Sequence, residues 1–433
     1  GVPEDDYLSA YVLYGLWRAN QTGVYVDETV FANAREYLHT ASLPYLNNAS
    51  PQTWQKDRLA FMQYVMQMTG GADAVVVDQL DIWREGLSPW ARALLALILD
   101  SRTPGDARAQ SLLANLEAVA QRSASGAHWE SDASQWRNPG TPNYTTATVL
   151  YALVQFDSTT PLVQDATRYL VSHRNVHGYW SSTYENAWSL LALTEVAKNG
   201  QELNASYNYA ASLNGSALLQ GQASPLVPAL ASAPLSGLQL SLPNALEISR
   251  TEGAGRLYYR AALFVDRAAE SAPALNQGME VTRTYYDAYC ENDCQPVNGI
   301  RLMIGAQVKV QVTLTLPEDS YYVMLEDTIP AGTEILNQNL KTSQQGVDAT
   351  DVELYDLDNP FAKGWGWWYF RTPEIGDQNI QWSADYLPAG TYVLSYTLIP
   401  LQAGEYRVLP THAWQSFFPE VQGTSAGETF VVR

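Results

Sequence analysis

A change of rhythm divides this chain. Up to about residue 200 its apolar residues recur every three to four positions; in its last third they recur every second one. Leu8, Tyr11, Val12, Gly15, Leu16 and Ala19 follow the i, i+3, i+4, i+7 spacing that lines one face of a helix. Ala147, Leu150, Tyr151 and Val154 do the same, as do Ala187, Leu190, Leu191 and Thr194. Further helices are expected near 27–42, 53–69, 72–85, 88–101, 104–123 and 161–174, separated by short turns such as Thr103-Pro104-Gly105. Ser182-x-x-Glu185 ahead of an apolar run is a capping box, and so a helix start. About nine helices with hairpin-length connections build an α/α toroid or a solenoid.

Helical periodicity fades in the Ser-, Ala-, Gly- and Asn-rich stretch 204–234. Beyond it Arg256–Val265 reads as a β-strand. Val308, Val310, Val312, Leu314 and Leu316 alternate with other residues, the pattern of a strand with one buried face. Residues 321–329 and 392–400 are further strands, and Pro-Ala-Gly turns fall at 330–332 and 388–390. Helices first and strands afterwards predict separate domains, α then β, rather than one α/β fold. At 433 residues the prior is about three domains, and 46% hydrophobic residues suffice for their cores.

Charge excludes some partners. The 45 acidic against 25 basic residues leave a net charge of -20, which disfavours nucleic acid and anionic membranes. The longest tight apolar run, Ala93–Leu99, is far too short to span a bilayer. Cys290 and Cys294 permit a local disulfide, and hence an oxidising compartment. Two cysteines with no histidine nearby in sequence do not make a four-ligand zinc site, so no metal is expected.

Catalytic signatures are missing: no Gly-x-Ser-x-Gly, no His-Glu-x-x-His and no phosphate-binding Gly loop. His173 and His177 have i, i+4 spacing, but Asn175 and Gly178 mark a helix end there, so a core or surface role is expected. Helical toroids also host glycosidases, and the inverting ones need a pair of carboxylates, one acid and one base. The candidates are Glu130, Asp132 and Glu185, beside Trp129, Trp136 and Trp180; capping and turn roles compete for them. Tyr169, Gly178 and Trp180 approach the repeat that packs helical hairpins in terpene cyclases. The cyclase Asp-x-Asp-Asp is absent, so the match points to architecture rather than chemistry.

The stretch Gly178-Tyr-Trp180-Ser-Ser182-Thr183-Tyr-Glu-Asn-Ala187-Trp188-Ser-Leu-Leu-Ala-Leu193 resembles the last helical hairpin of the thioester domain in the alpha-2-macroglobulin family. Residues 6–16 and 126–130 resemble earlier parts of that domain. Gly255–Tyr259 is similar to a strand of the CUB-like domain. Residues 278–285, 323–334 and 404–423 resemble three parts of the final macroglobulin domain, and the bacterial branch fits best. The resemblance implies a partial α/α-toroid thioester-type domain at 1–200, a CUB-like remainder at 201–280 and a macroglobulin β-sandwich at 281–433. It implies no enzyme and no cofactor. The expected function is protease trapping by a longer parent, outside the cytoplasm, with any signal or anchor upstream and target proteases as partners. The alternatives are a non-inhibitory, complement-like surface or adhesion module and, third, the toroid glycosidase or lyase. The family's Cys-x-Glu-Gln is absent, since Cys290 and Cys294 are followed by other residues. A Met-Tyr pair thought to shield the thioester in bacterial members falls here on Ser416 and Phe417, with Phe418 adjacent.

Overall fold

The helical periodicity of the first 200 residues is realised in nine α-helices among the residues described there. They are α1 (Asp6–Gln21), α2 (Glu28–Leu46), α3 (Thr53–Thr69), α4 (Ala74–Ile82), α5 (Pro89–Arg102), α6 (Ala107–Ala118), α7 (Pro142–Phe156), α8 (Pro161–Ser172) and α9 (Thr183–Gly200). The computed structural model describes residues 5–131, 138–175, 177–201, 204–223, 229–290, 294–297, 302–336, 350–355 and 365–433. Of these, 237–238, 350–355 and 365–367 are described as backbone only. Contacts divide the chain into two units, one within 1–121, 127–167 and 182–263, the other within 122–126, 168–181 and 264–433.

In the first unit α1, α3, α5, α7 and α9 lie side by side in that order, while α2 packs on α1 and α3, α4 on α3 and α5, and α6 on α5. Position in this packing explains composition. On α7 every residue from Tyr144 to Val154 is buried, as expected of a helix enclosed on all sides. Trp188 is the hub of the aromatic packing. It stacks on Tyr14 at 5.7 Å between centroids and meets Tyr144 and Tyr151 edge-on. The helix starts follow local chemistry: Asp5, Asp27, Asp73 and Asp106 cap α1, α2, α4 and α6 by accepting backbone N–H bonds.

The expected helix over 104–123 stops at Ala118. Its end instead turns into a hairpin, β1 (Gln121–Ser123) and β2 (Gly126–His128). Trp129 explains the turn-back: its ring is fully buried and its Nε1 donates to Leu116 O at 2.7 Å, drawing the chain back onto α6. After the helices, within the stretch 201–280 where strands were expected, β3 (Asn208–Leu213), β4 (Ser216–Gln222) and β5 (Leu246–Arg250) form a sheet in the order β4-β3-β5. Asn214 and Gly215, both at positive φ, close the β3–β4 hairpin. The strand expected at Arg256–Val265 does not form. That segment joins no sheet among the described residues, and Tyr259, Leu263 and Phe264 are exposed. Strand-forming composition needs a neighbouring edge to pair with, and among the described residues this segment pairs with none.

The second unit is a β-sandwich. Its strands are β6 (Leu275–Gln277), β7 (Glu280–Asp287), β8 (Val308–Leu316), β9 (Ser320–Thr328), β10 (Thr333–Ile335), β11 (Thr350–Tyr355), β12 (Trp365–Gly366), β13 (Glu374–Ile375), β14 (Asn379–Leu387), β15 (Gly390–Pro400), β16 (Gly404–Val408), β17 (His412–Gln415), β18 (Gln422–Thr424) and β19 (Glu428–Val432). One sheet runs β12-β11-β15-β8-β7, with β10 also on β15; the other runs β13-β14-β9-β17-β18-β6. The β6 strand lies upstream of the start expected at 281. The period-two pattern of β8 translates directly into burial: Val308, Val310, Val312, Leu314 and Leu316 are all core residues. They share that core with Leu325, Trp382 and Leu394.

An ionic network is buried between the sheets. The Arg283 side chain on β7 is 1% exposed and Asp327 on β9 is 0%. Arg283 donates to Asp327 at 2.6 Å, to Glu428 at 2.7 Å and to Leu409 O at 3.0 Å. Tyr396 and Thr411 donate to Asp327 at 2.6 and 2.8 Å. Buried charges persist only when paired and hydrogen-bonded in this way. Cys290 and Cys294 are joined by a disulfide after β7.

Candidate functional site

The residues singled out in the sequence fall into two groups. Those of the helical-hairpin motif have structural positions. Ser182 caps α9, its Oγ accepting the Glu185 N–H at 3.1 Å, with Thr183 as the first helical residue. The Glu185 carboxylate is buried and reaches α7, where Thr141 Oγ1 donates at 2.9 Å and Asn143 Nδ2 at 3.2 Å. Ala187 is exposed, and Trp188 is core. Gly178 stands at φ +83, where it closes a turn, and Trp180 Nε1 donates to Leu170 O at 3.0 Å. His173 is buried against Tyr169, while His177 stacks on Tyr179 beyond the end of α8.

The carboxylates weighed for glycoside chemistry have other occupations. Glu130 is exposed and pairs with His128 at 3.0 Å, and Glu185 ties α9 to α7. Asp132 and Trp136 lie outside the described residues.

The second group is the loop joining β17 to β18. Ser416 N–H donates to Tyr322 O at 2.9 Å, Phe418 N–H to Gln415 O and Val421 N–H to Phe418 O. These bonds fold the loop tightly, so its two aromatics diverge. Phe418 packs on the sandwich core, and Phe417 is 68% exposed with its ring edge-on to Tyr322 at 4.7 Å. Ser416 therefore contributes a backbone donor to Tyr322 beside the exposed ring.

Tyr322 was not foreseen from sequence. It has φ +54 inside β9, a left-handed conformation worth roughly 1–2 kcal/mol of strain for a residue with a Cβ. Gln201 and Asn214 also have positive φ, at a helix end and in a hairpin turn where that conformation is expected. In Tyr322 it interrupts the β9–β14 ladder between the pairs Val323–Ala384 and Tyr321–Tyr386. The phenol hydroxyl donates to Asn175 O at 3.1 Å. Asn175 in turn organises its own turn: its Oδ1 accepts the His177 and Tyr179 N–H groups, and its carbonyl also accepts the Gly178 N–H. Beside the loop, Arg168 pairs with Glu420 at 2.7 Å. This set of groups holds and displays a ring; it offers no nucleophile–base pair. Among the described residues no three His, Cys, Asp or Glu side chains form a metal-binding group.

Comparison with known proteins places this geometry. The family model of the bacterial alpha-2-macroglobulin MG10 domain matches residues 278–420, and that of the A-macroglobulin TED domain matches residues 76–196. A comparison with curated protein sequences gave no match. Among solved structures, trypsin-activated alpha-2-macroglobulin from Escherichia coli is similar at TM-score 0.57 and 16% identity, covering 99% of this chain and 28% of that one. Escherichia coli alpha-2-macroglobulin activated by porcine elastase is similar at TM-score 0.51 and 19% identity, covering 99% of this chain and 36% of that one. At such identities the shared property is the fold, and this chain spans well under half the length of either relative. A helical domain of the thioester type followed by a macroglobulin sandwich defines an alpha-macroglobulin. The chain belongs to the bacterial alpha-2-macroglobulin family.

Proposed function

We propose that this chain is the C-terminal part of a broad-spectrum protease trap that acts outside the cytoplasm, with target proteases as its partners. One observation carries the reading: a thioester-type helical domain and an MG10-type domain follow one another in the family's order, in a fold shared over 99% of the chain with alpha-2-macroglobulins solved after activation by proteases. In this reading residues 1–200 belong to an α/α toroid, 201–280 to a CUB-like domain and 281–433 to the macroglobulin sandwich. Phe417, set on Tyr322 and flanked by Ser416 and Phe418, is the shield of a reactive site supplied by other parts of the longer protein. The disulfide fits an oxidising compartment. No helix among the described residues is long and apolar enough to cross a membrane.

A trap encloses its protease without blocking the protease's own active site, so size discrimination is its signature. The full-length protein is incubated with trypsin, and hydrolysis of casein is compared with hydrolysis of a small chromogenic peptide. The expected result is suppressed casein cleavage with peptide cleavage retained. Equal loss of both would mean a direct active-site inhibitor, and no loss of either would mean no trap. Thiol titration before and after methylamine then separates a covalent trap, which releases a new thiol, from a steric one.

A further inference from the structure

Tyr322 combines three properties that no other described residue shares. It is an aromatic residue held in left-handed backbone inside a strand, its carbonyl accepts the Ser416 N–H, and its hydroxyl reaches a turn distant in sequence. Strain of this kind persists only where surrounding contacts over-determine it, and it concentrates at switching sites. The contacts responsible are visible. The backbone twist at 322 turns the carbonyl to the loop and lets the ring stand edge-on to Phe417 while its hydroxyl meets Asn175.

We propose that Tyr322 is the positioning residue of the 416–418 loop, a latch that fixes Phe417 in its displayed position and ties the loop to the turn that Asn175 holds together with 177–179. This deepens the shield reading given above and rests on it. The latch has two states. Closed, the three contacts hold Tyr322 in left-handed backbone. Open, the loss of the Ser416 and Asn175 bonds lets residue 322 return to the extended conformation of its strand. Phe417 is then released together with the turn, so loop and turn move as one cooperative element. The Arg168–Glu420 pair, exposed and screened by salt, adds little to the closed state.

Hydrogen exchange in the full-length protein, with no protease present, tests this. Tyr322→Phe removes only the hydroxyl. Tyr322→Gly removes the hydroxyl and the ring together, so the Asn175 bond and the contact with Phe417 are both lost. Exchange is expected to rise about fivefold at 177–179 in the Phe variant, the equivalent of one hydrogen bond. It is expected to rise by at least as much at both 177–179 and 416–418 in the Gly variant, with the rest of β9 and β14 unchanged. Exchange within twofold of wild type at both segments in both variants would overturn the latch. A rise spread evenly along β9 and β14 would reduce Tyr322 to a structural residue and overturn it equally. The casein and peptide assay is scored separately: a wild-type protein that traps nothing sinks the trapping reading whatever the exchange pattern.

Discussion

Asp57 lies buried on α3 with both carboxylate oxygens turned to Ser88, the residue that precedes α5. Ser88 N–H donates at 2.8 Å and its hydroxyl at 2.6 Å. Burial pushes the carboxyl up from its ordinary 3.8 to about 7, outweighing the Ser88 hydrogen bonds and the attraction of Arg92 and Lys56. The sign of the effect on stability follows. Below pH 3.8 the group is protonated in both states. Between 3.8 and about 7 the unfolded chain has released its proton while the folded chain still holds it, so stability falls across that window as pH rises. Between pH 5 and pH 8 the loss from this one group is about 2–3 kcal/mol, at roughly 1.4 kcal/mol per unit of differential protonation. Asp57→Asn abolishes the titration and keeps the geometry: Oδ1 accepts the Ser88 N–H, and Nδ2 donates to the rotated hydroxyl. Urea denaturation followed at 222 nm, for both proteins at pH 5 and pH 8, isolates the effect. Wild type is expected to lose about 2–3 kcal/mol more than the variant between the two conditions. Parallel pH profiles would refute the argument and show that the folded carboxyl ionises normally.

Two further perturbations probe the sandwich. Asp327→Ala leaves Arg283 buried beside an empty partner site and is expected to cost about 3–5 kcal/mol in the sandwich transition seen by calorimetry. The double replacement of Arg283 by Met and Asp327 by Leu should cost markedly less, and equal losses would mean that packing, not charge, holds the site. At Gly423 on β18 an added Cβ would lie 2.1 Å from Met279 O, a backbone atom that can retreat only if the strand moves. Gly423→Ala is therefore expected to destabilise the sandwich by on the order of 2 kcal/mol, and a melting temperature equal to wild type would show that β18 has slack.

The fold was legible in the sequence wherever one period governed a whole element. The α3 bounds fall where the apolar spacing placed them, and the β8 alternation became burial residue by residue. Reading failed where a distant partner decides. Arg256–Val265 has strand composition but pairs with no strand among the described residues, a fact no local pattern contains. The end of α6 was masked by helix-compatible residues and set by Trp129 reaching back to Leu116. The β3–β4 hairpin was readable in principle, because Asn214-Gly215 is a strong hairpin signal that the small-residue composition around it obscured. The loop carrying Ser416–Phe418 was located through family likeness. Tyr322 was not, since left-handed backbone at a tyrosine leaves no signature in sequence. Nor does the Arg283–Asp327 pairing, which joins two residues 44 positions apart on opposite sheets.

The exposed segment before the sandwich has a colloidal consequence. Leu263 and Phe264 are apolar, open to solvent and outside any sheet among the described residues, so copies of this chain expressed by themselves present one another with a sticky surface. What opposes that encounter is the net charge of -20, which repels like chains over a distance set by salt. At physiological ionic strength that reach is only about 8 Å, and it contracts to about 3 Å at 1 M. The isolated chain is thus a polyanion whose solubility depends on dilute electrolyte: concentrated salt removes the repulsion while leaving the apolar strip uncovered.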